Sequence, residues 1–421
     1  MMRINKLLII TILTFSSIFS ASAQLTTSPY SKFGYGFLND NATSAQRAMG
    51  GVGYAMNSGR QINAMNPASY ASIDSLTFLF DMGLNFNTIW SSENGVKSKD
   101  YSGGIDYITL QFPVTKYMGV SAGLVPFSSV GYSFGDEIVH GSNSREGIGG
   151  INQLYVGVGA NVYKNLSVGA NISYLFGTII NDAYAYTDHG STSLFERVMQ
   201  IRDWRVQFGA QYSIDFGRKN RGTIGVVYSP GKSLLGKTWG TYYDISAENA
   251  KPDTVGETRL KNKYSLASSL GVGLNWEWNK KLMVEVDYTY EPWKDAKSAS
   301  IVNENTGDVV FENAQFDNRW KVAGGVQYTP KVRGNYLQRI TYRIGGFYNH
   351  DYVLVNGNNL RDYGISAGFG LPAPKSKTVI NLGFEWRRRE AHPATLIKED
   401  YFNITLGINF NEMWFWRNKI R

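Results

Sequence analysis

The sequence predicts an all-β fold: a monomeric, 14-stranded antiparallel transmembrane β-barrel with an N-terminal plug, or hatch, inside the lumen. Three observations predict it. The chain opens with an export signal and has no later apolar run long enough for a helical span, it carries about fourteen period-two segments, and its connections alternate between tight turns and long polar loops.

Composition narrows the classes first. The 421 residues include no Cys, which excludes a disulfide-stapled domain, a thiolate zinc site, a cysteine nucleophile and lipidation of an N-terminal cysteine. Charged residues make up 18%, below the roughly 25% of soluble domains, whereas 45 Gly, 27 Tyr, 22 Phe and 10 Trp enrich the small and aromatic classes. The net charge of +8 is spread thinly. Only Arg387-Arg388-Arg389 forms a tight basic cluster, so nucleic acid is not an expected partner.

Residues 1–23 read as a secretory signal peptide: two positive charges within Met1–Lys6, an apolar stretch from Leu7 to Phe19, and Ala21-Ser22-Ala23 as the cleavage site. The apolar run of about 13 residues is short of the roughly 20 that a spanning helix needs. Export is therefore expected, with the mature chain starting at Gln24. An exported chain that enters a membrane without helical spans does so as strands, which places it in the outer membrane.

Residues 24–74 do not alternate. Their apolar spacing suits short helical pieces, with Gly50, Gly51 and Gly53 allowing sharp turns and close backbone approach. So many small and apolar residues before the first strand predict packing inside a barrel as a plug. Residues 75–421 then form the barrel, with strands expected at 75–87, 103–112, 117–127, 151–161, 166–176, 203–216, 221–229, 264–277, 281–290, 320–329, 339–349, 362–371, 378–388 and 401–411. In LMVEVDYTY (282–290) and ITLGINF (404–410), apolar residues alternate with small or mildly polar ones, as expected where one face meets lipid and the other a filled or watery lumen. Tight turns are expected at 163–165, 217–220, 278–280 and 372–377. Long polar outer loops are expected at 88–102, 128–150, 177–202, 230–263, 291–319 and 389–400, with both termini periplasmic. Trp276, Trp278, Tyr288, Tyr290, Trp293, Trp320, Tyr328, Trp414 and Trp416 read as aromatic girdles.

No enzyme is expected, and neither a catalytic set, a cofactor nor a metal is predicted. His140, His189, His350 and His392 show no HExxH spacing, no GxSxG elbow is present, and the loop acids lack the calcium-loop pattern. The glycines of 50–53 follow no strand, which argues against a nucleotide site.

The RAMGGVGYAM stretch at 47–56, Asn66-Pro67-Ala68-Ser69, the export signal and the count of fourteen strands together resemble the long-chain fatty-acid outer-membrane transporter family (FadL-like). The resemblance implies that residues 24–74 are a hatch and that Asn66, Pro67 and Ala68 match that family's Asn-Pro-Ala element. With Gly50, Gly51 and Gly53 these would be the gating residues. Hydrophobic ligands would enter from an outer-loop groove, pass an internal site and leave laterally through a disturbed strand wall. Arg47 or Arg60 would either pair with a ligand carboxylate or serve in a structural ion pair or in hydrogen bonds to hatch carbonyls. The stretch SPYSKFGYG at 28–36 resembles the Bacteroidota branch, whose barrels include accessory subunits of type IX secretion and of outer-membrane protein assembly. Two functions follow: transport of hydrophobic small molecules, or a non-conducting accessory role in an outer-membrane protein complex. The expected partners are membrane lipids, with a hydrophobic small molecule or detergent in the lumen on the first reading and a protein complex on the second.

Overall fold

The computed structural model describes residues 26–413, apart from 139, 189–191, 246–252, 262–263, 303–309, 314, 332 and 375. The expected signal peptide, His189, Trp414 and Trp416 lie outside the described residues.

Fourteen strands form one antiparallel sheet that closes on itself. They are β1 Thr77–Glu93, β2 Val96–Pro113, β3 Met118–Ile138, β4 Gly141–Tyr163, β5 Leu166–Thr187, β6 Thr192–Phe216, β7 Asn220–Ser229, β8 Ser269–Trp278, β9 Leu282–Glu291, β10 Arg319–Tyr328, β11 Thr341–Val355, β12 Asn358–Pro372, β13 Val379–His392 and β14 Lys398–Met413. Each pairs with its neighbours in chain order, and β14 returns to β1 over Thr77–Ser92. Closure gives wall N–H and C=O groups partners without water, which is what a strand structure in hydrocarbon requires.

The side-chain alternation follows from the pleat. On β9, Val286, Tyr288 and Tyr290 face outward and are exposed, whereas Glu285, Asp287 and Thr289 are buried inside. Tight turns close one end of the barrel. At the other end, long connections rise. Met413 lies on the tight-turn side opposite Thr77, whereas the N-terminal segment enters the described structure at the outer end, where Ser28 meets Glu399 at the start of β14, and not on the expected periplasmic side.

All fourteen expected strands are present, and their ends at the tight turns fall within a few residues of expectation. The outer ends differ. Residues 88–102, 128–150 and 177–202 were expected as loops, yet most of the described ones continue the strand ladders upward. Above the membrane both faces meet water, so the apolar alternation fades while the hydrogen-bonded ladder persists. A further pair of strands, Gly236–Ile245 with Asp253–Lys261, extends this raised sheet from β6. The expected strand 264–277 splits, because Tyr264–Leu266 pairs with Lys232–Leu234 and the wall strand begins only at Ser269. Tyr264 and Leu266 turn inward to an apolar cluster.

Among the girdle residues, Trp276, Trp278, Tyr288, Tyr290 and Tyr328 are exposed on the outer surface. Trp293 is not a girdle residue: it is 2% exposed and packs inside. The Arg387–Arg389 run is no basic patch either. Strand alternation sends Arg387 and Arg389 inward to Asp362, and Arg388 to Asp400 and the Trp386 ring.

The lipid face sets a testable cost. Val286→Arg, halfway along β9, is expected to destabilise the barrel by about 2–4 kcal/mol. Val286→Ala is expected to cost distinctly less; urea titration of the heat-modifiable band in lipid vesicles measures both.

Candidate functional site

Short local structures carry the N-terminal segment. Pro29–Lys32 and Pro67–Ser72 are 3-10 turns with proline in the first position, and Ser44–Arg47 is a single α turn. None is long enough to be stable by itself. Side-chain hydrogen bonds fix them instead: Gln46 Oε1 accepts from Thr43 N at 2.8 Å, Gln46 Nε2 donates to Asn63 Oδ1 at 2.9 Å, and Asn63 Nδ2 donates to Gly53 O at 2.6 Å. Most of the segment is buried against inward-facing residues of the wall.

Asn66 caps the second 3-10 turn, accepting from Ala68 N at 3.0 Å, and its amide donates to Tyr54 O at 2.7 Å and Ala210 O at 3.4 Å. Pro67 and Asn66 lie so near β5 and β6 that a methyl group at Gly169 or Gly209 would meet their atoms at 2.5 and 2.1 Å. Gly50, with φ +76°, approaches the backbone of Gly346 and donates to Ser366 Oγ at 2.9 Å. Gly51 has φ +81° beside Lys321. Gly53 N donates to Asp287 Oδ2 at 2.7 Å, Tyr54 N to the same oxygen at 3.0 Å, and Ala55 N to Glu285 Oε1 at 2.9 Å. The structure thus places Asn66, Pro67 and Ala68 together against β5 and β6, and the three glycines along the same segment against β9, β10 and β11.

Arg47 pairs with Asp106 of β2 at 2.9 Å. Arg60 is 67% exposed and pairs with Asp74 at 3.3 Å. Both guanidinium groups are held by acids of the chain.

The SPYSKFGYG stretch occupies the outer half of the lumen. Ser28 Oγ donates to Glu399 at 2.6 Å, the Tyr30 hydroxyl donates to Ile397 O at 2.5 Å, and Ser31 Oγ donates to Gly131 O at 3.0 Å. Tyr35 is enclosed by Tyr264, Trp293 and Phe316, and its N–H donates to the Tyr352 hydroxyl at 3.0 Å. That hydroxyl donates in turn to Gly36 O at 2.6 Å. This aromatic cluster is built from the segment and the outer connections together.

Charge fills the space between. Asp40 pairs with Lys321 and with Arg319, and Arg319 also reaches Glu291 at 3.1 Å. Burial would raise the Asp40 carboxyl, but Lys321 and Arg319 outweigh it and hold this group of the N-terminal segment below the usual carboxylate range. Arg389, 1% exposed, pairs with Asp362 at 3.1 Å and lies 3.4 Å from the centre of the Phe37 ring. Two cavities beside these groups measure about 70 and 80 Å³, one lined by Asn39, Tyr54, Arg205 and Glu291, the other by Asp40, Lys321, Asp351 and Arg387. They are polar, and well short of the roughly 300 Å³ at which sites for drug-sized ligands begin.

The wall itself parts between β2 and β3. β2 and β3 pair only from Ile108/Leu124 to Pro113/Gly119. Above that, β3 passes Pro126 and a bulge at Phe127, and its residues 125–132 are buried. Its free edge pairs with the two-residue strand Phe37–Leu38 of the N-terminal segment, Phe37 opposite Ser129 and Leu38 opposite Ser128. The upper half of β2 keeps only β1 as a partner among the described residues.

Several of these residues escaped the sequence reading: Asp40, Asp106, Glu285, Asp287, Arg319 and Lys321. Glu285 and Asp287 left a signal, since acids at successive inward positions of VEVDYTY need partners inside the lumen. Asp40 left none.

Asn66→Ala removes the cap and one donor to the Tyr54 carbonyl, which keeps Gln211 Nε2 at 3.0 Å, an expected loss of about 0.5–2 kcal/mol. Arg60→Ala, at an exposed pair, is expected to stay within about 0.5 kcal/mol of the parent. Thermal unfolding and protease cleavage within residues 26–74 distinguish the two.

Among solved structures, the chain is similar to a Pseudomonas aeruginosa FadL homologue (13% identity, 90% of this chain and 99% of that one, TM-score 0.62). It is also similar to the Pseudomonas putida toluene transporter TodX (17%, 90% and 99%, 0.62) and the Ralstonia pickettii toluene transporter TbuX (14%, 88% and 98%, 0.58). At these identities the likeness is one of fold, and it agrees with a closed 14-stranded barrel of the outer membrane. No curated protein matches the chain. The family model described as BamG matches residues 2–421, and the chain with its filled lumen and parted wall belongs to the BamG family.

Proposed function

We propose that this barrel is a non-conducting accessory subunit of an outer-membrane protein assembly or secretion complex. The filled lumen carries the reading: the N-terminal segment is fixed to the wall by paired charges and backbone hydrogen bonds, and the two cavities beside those charges are polar and about 70 and 80 Å³. A conducting path would have to break several of these pairs at once, and each broken buried pair costs about 3–5 kcal/mol. Membership of the BamG family is compatible with such a role. On this reading Gly50, Gly51, Gly53, Asn66, Pro67 and Ala68 hold the hatch shut, and Arg47 is a structural ion pair. No step of it calls for a catalytic residue or cofactor.

One observation favours a second reading. The parting of β2 from β3 is a lateral opening of the kind that transport of hydrophobic small molecules uses, and two of the similar structures are toluene transporters. There, Asn66-Pro67-Ala68 and the glycines would be the moving hatch.

Two measurements separate the readings. Purified full-length chain in planar bilayers is expected to give no steady conductance, whereas a variant lacking residues 26–74 conducts. The chain isolated gently from its native membrane is expected to carry protein in fixed stoichiometry. A retained apolar metabolite, with no protein partner and with uptake lost on Asn66→Ala, would overturn the accessory reading in favour of transport.

A further inference from the structure

We propose that the free edge of β2, from Lys97 to Ile105, accepts a β-strand of a partner protein in the cleft between β2 and β3. This deepens the accessory reading and rests on it.

The turn before β2 sets the geometry. Asn94 and Gly95 have φ +46° and +87°, the two-residue turn that makes Glu93 and Val96 a hydrogen-bonded pair. Every second residue down the ladder from the turn then bonds to β1: Ser98 with Ser91, Asp100 with Ile89, Ser102 with Asn87 and Gly104 with Asn85. The N–H and C=O groups of Lys97, Lys99, Tyr101, Gly103 and Ile105 therefore point the other way, into the cleft. No strand pairs with them there among the described residues.

Depth makes the lower part of this edge, Gly103 and Ile105, costly. Lys99 lies 5.7 and 5.0 Å from the ring centres of Trp90 and Tyr101, an arrangement that marks the headgroup level. Ile105, exposed on the outer surface, lies deeper, where no water is available to bond the backbone. Lipid tails and hydrocarbons offer no donors or acceptors. A β-strand offers both at the required spacing.

The cleft already takes an added strand on its opposite side. β3 pairs with β4 at Ser128 and Ser129, and its other edge there, facing β2, is filled by Phe37–Leu38. The occupant of the β2 edge is therefore an extended protein segment, with apolar residues outward beside Ile105 and an acidic residue beside Lys97 and Lys99.

A photo-crosslinking residue at Tyr101 in the full-length chain, in native membranes, tests this. Its adduct is expected to map to one alternating apolar segment of an outer-membrane protein. Ile105→Pro, which removes one cleft-facing N–H and no bond to β1, is expected to abolish the adduct, and Ile105→Val to keep it. The reciprocal pair, a crosslinker at Ile105 with Tyr101→Pro, guards against a local folding defect, and a crosslinker at the exposed Ile344 of β11 is the control. Heat-modifiable migration reports whether each variant forms a barrel. Lipid adducts alone, or a protein adduct that both proline variants leave intact, would sink the edge proposal. If a stoichiometric partner still co-purifies with such variants, the accessory reading survives that failure; if none co-purifies with the parent chain, both fall.

Discussion

The constraint on which the rest of this structure depends is the absence of water in the bilayer. Each wall N–H and C=O must find a partner within the protein, so the sheet has to close, and fourteen ladders do this. Closure then dictates the side chains: outward positions meet lipid and are apolar or aromatic, and inward ones enclose a lumen. A lumen lined with small and polar residues cannot stay empty at no cost. The chain fills it with its own N-terminal segment, whose backbone groups in turn need partners, supplied by Glu285, Asp287, Ser366 and Asn66.

The wall and the lumen filling are therefore one problem solved twice. Where β3 leaves β2 above Leu124, the edge it exposes is satisfied by Phe37–Leu38, so the N-terminal segment serves as a strand as well as a filler. Charges are treated likewise. Asp40 pairs with two cations of β10, one of which, Arg319, also meets Glu291, and Asp362 and the Phe37 and Tyr401 rings receive the buried Arg389. The parts of the wall that are short of partners are the parts where function is to be sought.

The fold was highly legible. Periodicity located all fourteen strands because lipid on one side and lumen on the other impose a two-residue repeat, and the turn residues marked the short-turn end. Legibility failed where that contrast disappears. The raised ladders of 128–150 and 177–202 have water on both faces, and Trp293 looked like a girdle residue because an aromatic near a strand end carries no record of whether it points in or out. In the candidate site, Gly50, Asn66 and Pro67 stood out by residue type. Asp40 and Lys321 did not, since the partners that give them meaning are 281 residues apart.

The sequence by itself determined the all-β class, the number and order of the strands and the outward aromatic face, all properties of local alternation and turn chemistry. Only the tertiary structure decided which acid holds which arginine, that SPYSKFGYG anchors the outer half of the lumen, and that β2 and β3 separate above Ile108. The reason is physical. Alternation reports what each face of a strand touches in bulk, lipid or interior, while pair choice and wall parting depend on distances between segments that become neighbours only when the barrel closes.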